Sequence, residues 1–262
     1  MGRNFTTRQS IGTLSLTLWV GLASAATAQR AIWPQHSLDR PQPTVVTPGP
    51  ALPGTAAPAD AIVLVGQASL AEWRSGDSSA APAGWRVAAG VLEVVPGTGG
   101  IRTVRTFGDV QLHVEWTTPS PSAGEGQDRG NSGIFLMQRY EVQVLDSWRN
   151  ATYADGQAGS IYGQFPPLVN ASRPGGEWQS FDIVFRRPHF GVDGKLIIPA
   201  RMTVFHNGLL VQEDVVLLGP TSHRVRAPYT AHADKLPISL QDHGHRVRFR
   251  NVWVRELAPA VF

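Results

Sequence analysis

From about residue 61 onward the chain alternates. Val110-Gln111-Leu112-His113-Val114-Glu115-Trp116 sets apolar residues against polar ones with a period of two, and so does Tyr140-Glu141-Val142-Gln143-Val144. That period places successive side chains on opposite faces of a strand. Further β-branched or aromatic runs cover Ile134 to Met137, Phe181 to Phe185, Arg201 to His206, Leu209 to Val211, Ile238 to Leu240 and Arg248 to Val254. Gly, Pro, Asp and Asn clusters separate them. Asn207-Gly208 between two apolar runs predicts a tight hairpin, and Asp193-Gly194 has the same turn chemistry. No stretch of helical period exceeds two turns. The pattern predicts an all-β chain, an antiparallel β-sandwich or jelly roll.

Alternation also sorts polar residues by face. Glu141 and Gln143 share the side opposite Tyr140, Val142 and Val144, and His113 and Glu115 share the side opposite Leu112, Val114 and Trp116. An open face carrying Glu, Gln and His suits a polar groove, and equally a plain solvated surface.

The ends read differently. Residues 1–28 have the form of a signal peptide: Arg3 and Arg8, a short apolar run from Ile11 to Ala23, and Ala26-Thr27-Ala28 as a cleavage site. Export to the periplasm or the extracellular space is therefore expected, with no transmembrane segment after cleavage. Residues 29–60 hold seven prolines and no apolar period, which predicts a disordered, semi-extended linker. Residues 61–262 are long enough for one domain with a sizeable core.

Charge changes little. The chain has 262 residues, no Cys and a formal net charge of +3, with a pI near 9.7. Removing the leader leaves 21 basic against 20 acidic residues, so the high pI reflects the scarcity of groups that titrate above neutrality. A near-neutral domain is a poor nucleic-acid binder. The lack of Cys excludes disulfides, Cys-ligated metal and a catalytic thiol.

Strong nucleotide, metal and hydrolase signatures are absent. Pro96 to Gly100 reads as a turn. His243-Gly244-His245, at a strand end, should point its imidazoles to opposite sides, which argues against a metal pair. Arg246, Arg248 and Arg250 fall on one side of a strand, a pattern that more often pairs with carboxylates than with phosphates. Asn150 and Asn170 stand in glycosylation-type triplets that recur by chance.

Several longer blocks are more specific. They are NSGIF at 131–135 with YEVQVLDS at 140–147, IYGQ at 161–164 with PLVNASRP at 167–174 and GEWQS at 176–180, PARMTVFHNG at 199–208, and LQDHG at 240–244 running on to VRFRN at 247–251. In these blocks the sequence resembles the 3-keto-disaccharide hydrolase family, from about Val63 to Leu257, more loosely over 66–100. The resemblance implies a concanavalin-like jelly roll, in agreement with the period of two. It also implies a substrate already oxidised at C3 of a glucosyl unit, which calls for a sugar 3-dehydrogenase acting upstream.

A 3-keto group acidifies the C2 hydrogen. A base removes it to give an enediolate, the C1 substituent leaves by β-elimination, and water adds back. Such a site needs a base, a proton donor and an oxyanion partner. Glu141 is the expected base, with Gln143 on the same face to hold a hydroxyl. His206 or His243 is the expected proton donor. Arg129 and Arg139 are candidates for the enediolate, Trp148, Tyr162 and Trp178 for stacking on sugar rings, and Asn131, Gln164 and Gln241 for sugar hydroxyls. No cofactor is required by the sequence. A divalent ion held by Glu141, Asp146 or His243 fits the chemistry, but no spacing demands it. Two other classes stay open, a non-catalytic carbohydrate-binding module of the cell envelope and a structural or partner-binding sandwich.

Overall fold

The two long alternating segments both form strands, as the pattern predicts, in two different sheets. The computed structural model describes residues 1–2, 33–50, 56–66, 69–77, 79 and 81–258. Its contacts divide the chain into two units, 1–32 and 33–262. Beyond Met1 and Gly2, the expected leader lies outside the described residues.

In chain order the strands are β1 (Thr44–Val45), β2 (Ile62–Val65), β3 (Trp73–Ser75), β4 (Arg86–Ala88), β5 (Val91–Glu93), β6 (Ile101–Thr103), β7 (Val110–Thr117), β8 (Ser132–Leu136) and β9 (Tyr140–Val144). They continue with β10 (Val169–Asn170), β11 (Gln179–Arg186), β12 (His189–Phe190), β13 (Leu196–Ile198), β14 (Arg201–His206), β15 (Leu209–Val216), β16 (Ser239–Leu240) and β17 (Arg248–Glu256). The helix content of the described residues is a single 3-10 turn at Ala154–Gly156. None of their helices is long and apolar enough to cross a membrane.

An eight-stranded sheet runs β15-β14-β11-β7-β17-β5-β4, with β2 also paired to β17, and a five-stranded sheet runs β3-β6-β16-β8-β9. Every pairing in both is antiparallel. The two sheets enclose one core. The eight-stranded sheet contributes Leu112, Val114, Trp116, Phe181, Ile183, Phe185 and Phe249, and the five-stranded sheet contributes Ile101, Ile134, Tyr140, Val142 and Val144, all fully buried. Tyr140 and Phe185 meet across the gap with ring centroids 5.5 Å apart. Without disulfides, burial of this order is the main stabilising contribution, at about 25 cal/mol per Å² of apolar surface.

The expected hairpins form at Asn207-Gly208, between β14 and β15, and at Asp193-Gly194, between β12 and β13. The five-stranded sheet differs from expectation on its outer face. Glu141 and Gln143 do point away from the core, yet every residue of β9 is buried. Loops pair along the free edge of β9 and bring Tyr162 and Thr221 to that face: Gly159 N–H donates to Gln143 O at 2.9 Å, Gln143 N–H to Ser160 O at 3.1 Å, and Glu141 N–H to Thr221 Oγ1 at 3.0 Å.

The proline-rich stretch also departs from expectation, since the described residues 33–50 lie along the domain rather than trailing from it. Strand β1 pairs in parallel with β10. Pro supplies no backbone donor, and side chains between the prolines take over. Gln42 Nε2 donates to Thr152 O at 2.9 Å, Arg40 Nη1 to Gln164 O at 3.2 Å, and Gln35 Nε2 to Ser222 O at 2.6 Å. We call this segment, Trp33 to Val46, the strap.

Candidate functional site

The outer face of the five-stranded sheet borders a cavity of about 320 Å³ lined by Asn131, Phe135, Glu141, Gln143, Tyr162, Thr221, Ser222, His223, Gln241 and His243. Strands β8 and β9 set its floor. Gly133 and Phe135 on β8 register against Gln143 and Glu141 on β9, so all four side positions share the outer face. Gly133 is needed there for space. A Cβ at that position would lie 2.3 Å from Glu141 Oε1 and 2.8 Å from the Phe135 ring. The missing side chain is the seat of the carboxylate.

Glu141 is 5% exposed, and burial pushes its carboxyl up to about 8. Around it the amides form a fixed network. Gln143 Nε2 donates to Gln127 Oε1 at 3.1 Å and to Asn131 Oδ1 at 3.3 Å, and Asn131 Nδ2 donates to Gln127 O at 2.8 Å. Gln127 is itself tied to Thr152 Oγ1 and Gly156 O, each at 3.0 Å. Gln241 is held by its backbone: Ser132 Oγ donates to Gln241 O at 2.7 Å, while Gln241 Oε1 is buried without a hydrogen-bond partner. A free buried carbonyl of this kind suits a ligand hydroxyl. Beside Glu141, Tyr162 OH lies 2.9 Å from Tyr153 OH and 3.1 Å from His223 Nδ1. Burial raises the Tyr162 phenol, which keeps it protonated and able to donate.

The cavity thus gathers Glu141, Gln143, Asn131, Tyr162, Gln241 and His243 from the expected site residues. The others lie elsewhere. His206 is fully buried in the core, between Trp116 and Phe181, with Nε2 2.9 Å from Gln179 Oε1. Burial lowers its imidazole to about 3, so the ring stays neutral, and its position in the core keeps it from the cavity. Arg129 is committed to structure, its Nε 2.9 Å from Asp146 Oδ2 and its Nη2 donating to Trp148 O. Asp146 also accepts from Ser122 Oγ at 2.5 Å and from Trp148 N–H at 3.2 Å, which fixes a turn away from the cavity. Glu141, Asp146 and His243 therefore do not form one ligand set. Among the described residues no group of three or more His, Cys, Asp and Glu is placed to hold a metal ion.

Arg139 sits in the β8–β9 turn, where its charge acts on Tyr140 and His232 rather than on the cavity. Gln164 ties two loops together, donating to Gly219 O at 2.9 Å and accepting from Leu218 N–H at 2.8 Å. Trp148 lies under Arg149, and Trp178 lies under Arg250 and Arg248 at 4.1 and 5.8 Å, so guanidinium groups cover both rings. The remaining arginine of that comb, Arg246, reaches Glu93 at 3.4 Å, and Arg250 Nε reaches Glu115 at 2.6 Å, the carboxylate pairing expected. The imidazoles of His243 and His245 do not diverge. Gly244 turns the chain with φ +84° and leaves the rings parallel, centroids 6.1 Å apart.

Thr221, Ser222 and His223 were not anticipated. They come from the long loop between β15 and β16, where the sequence has no period to place them. Gln127 and Tyr153 were likewise hidden in loops. A Gly facing a Glu across one hairpin, as Gly133 faces the Glu141 side of β9, was the readable signal for the carboxylate seat.

Residues 60–255, about three quarters of the chain, match the 3-keto-alpha-glucoside-1,2-lyase-like domain. The chain belongs to that family. A presumed glycosyl hydrolase from Parabacteroides distasonis is 44% identical, with 83% of this chain and 93% of that one covered and a TM-score of 0.74. A second protein of the same description and organism, 21% identical over 75% of this chain and 99% of its own, shares the fold with a TM-score of 0.51. No curated protein matches.

Proposed function

We propose that the protein is an exported enzyme, periplasmic or extracellular, that cleaves 3-keto-glycosides, 3-keto-disaccharides among them, with Glu141 as the base. The family match and the 44% identical relative support a carbohydrate-active enzyme. The observation that carries the finer reading is the Glu141 carboxylate, buried on the wall of a polar cavity with no basic side chain bonded to it and flanked by amides and a protonated tyrosine.

In this reading Glu141 takes the C2 proton, and the C2–H electron pair moves into the C3 carbonyl to give the enediolate. Collapse of the enediolate expels the C1 substituent, whose oxygen takes a proton from Tyr162 or His243, and leaves a C1–C2 double bond. Water adding across that bond completes net hydrolysis. Gln143 and Asn131 orient each other, and Gln241 Oε1 accepts a sugar hydroxyl. A carboxyl poised near pH 8 is matched to abstraction of a carbon acid's proton near neutrality. Because the substrate must already be a ketone, an oxidoreductase acting on C3 is required upstream.

The test is turnover of a 3-keto-disaccharide by the purified protein. Glu141→Gln should slow it at least about a hundredfold. Saturable sugar binding with no turnover by the wild type would move the protein to the carbohydrate-binding modules.

A further inference from the structure

The cavity wall beside Glu141 is built by two loops, 161–163 and 221–223, that are some sixty residues apart in sequence and that both bond the Glu141 backbone: Tyr162 N–H donates to Glu141 O at 3.3 Å, and Glu141 N–H donates to Thr221 Oγ1 at 3.0 Å. The strap touches both. Gln35 Nε2 donates to Ser222 O, and the same side chain packs on Gly163 so closely that a Cβ there would lie 2.0 Å from Gln35 Nε2. His36 enters between them. Its ring stacks on Tyr153 at 4.1 Å and 25°, and lies 5.1 Å from both Tyr162 and His223.

This placement is costly by itself. His36 has φ +61°, a left-handed conformation that side-chain-bearing residues seldom adopt, and both its ring nitrogens are buried without hydrogen-bond partners. What offsets the cost is local. Its backbone N–H donates to the buried Asp155 Oδ2 at 3.1 Å, and Arg40 lies 3.7 Å from the same carboxylate oxygen. Further along the strap, Gln42 Oε1 accepts from Gln157 Nε2 at 3.1 Å, and β1 closes on β10. A ring that bonds to nothing and is held this firmly contributes its face, not its nitrogens.

We infer that the strap is a fixed part of the site and that His36 is a positioning residue, whose ring clamps Tyr153 and so holds the Tyr162–His223 pair at the cavity. The inference rests on the reading of this cavity as the active site and deepens it. An element expected to be a free tether supplies the brace behind the residues that face the sugar.

The test uses the full chain with His36→Ala and His36→Phe. For His36→Ala, kcat/KM on a 3-keto-disaccharide should fall at least tenfold, mainly through KM, with the pH dependence set by Glu141 unchanged. Backbone amides at 162–164 and 218–221 should exchange with deuterium at least tenfold faster, while those of β7, β11 and β17 stay as protected as in the wild type. His36→Phe, which keeps the ring face and discards the nitrogens, should restore both. Wild-type KM and exchange in His36→Ala would overturn the inference, as would a His36→Phe protein as defective as His36→Ala. If His36→Ala does not fold, Gln35→Ala in the same assays decides the matter, with loosened amides supporting the brace and unchanged ones refuting it. Absence of turnover by the wild type would overturn the proposed reaction, while the exchange data would still decide whether the strap braces these loops.

Discussion

Replacing Glu141 by Gln removes a titration while preserving shape, and the consequence can be worked out. The carboxyl moves from an ordinary 4.5 in the unfolded chain to about 8 in the fold, because burial disfavours its charge. At about 1.4 kcal/mol per tenfold change, ionising it in place costs on the order of 5 kcal/mol. The folded carboxyl keeps its proton to higher pH than the unfolded one. Native protein therefore binds more protons between pH 4.5 and 8, and its stability declines as pH rises across that window. Gln has no such decline. The stability of Glu141→Gln minus that of the wild type, from urea denaturation at pH 5 to 9, should grow by about 1.4 kcal/mol per pH unit and level off above about 8. Over the same range the wild-type kcat/KM should rise toward a plateau near pH 8 as the base form accumulates, and the variant should stay inactive. Parallel stability curves for the two proteins would refute the buried, strongly raised carboxylate and the mechanism built on it.

Other outcomes follow from single contacts. Gly133→Ala puts a Cβ 2.3 Å from Glu141 Oε1, so the carboxylate must shift, and kcat should fall at least about tenfold at a stability cost of roughly 1–3 kcal/mol in thermal melts. His206→Leu should leave the kcat of the folded protein unchanged, because that ring is core; Gln179 Oε1 keeps Arg173 N–H and Asn207 Nδ2 as donors, and a marked loss of kcat would restore His206 to the chemistry. On the outer face of the eight-stranded sheet, burial opposes a charge on His113, but Asp182 Oδ1 at 2.7 Å and Glu115 at 3.7 Å raise it to about 9. Its stabilisation, up to about 3 kcal/mol, is full below pH 6.5 and lost as pH rises through 9, so His113→Gln should flatten the alkaline limb of a stability profile.

One strand of each sheet was legible to its bounds, β9 beside the cavity and β14 away from it. β9 runs Tyr140–Val144 and β14 runs Arg201–His206, as their alternation predicts. Short strands such as β3 and β6 escaped, since three residues carry no period and are held in place by their neighbours in the sheet. Side-chain facing was also readable, and put Glu141 and Gln143 together. What alternation cannot tell is what lies above a face. Glu141 and His206 both sit on strands of similar pattern, yet one borders a cavity and the other packs between Trp116 and Phe181. The proline-rich stretch misled for a related reason. Prolines forbid a ladder, but they do not forbid docking when Gln35, Arg40 and Gln42 bring their own donors.

The strap also sets an order of assembly. It is the first part of the 33–262 unit to leave the ribosome, and its partners come much later: Asp155 follows His36 by 119 residues and Ser222 follows Gln35 by 187. The eight-stranded sheet closes over a similar range, since β2 pairs with β17, so the strap and the sheet are completed in the same late stage. A chain that has not yet made β17 already carries both partners of the strap but lacks the strand between β7 and β5 in the eight-stranded sheet. Both ends of the 33–262 unit are thus locked by the same late step, the strap onto its loops and β2 onto β17.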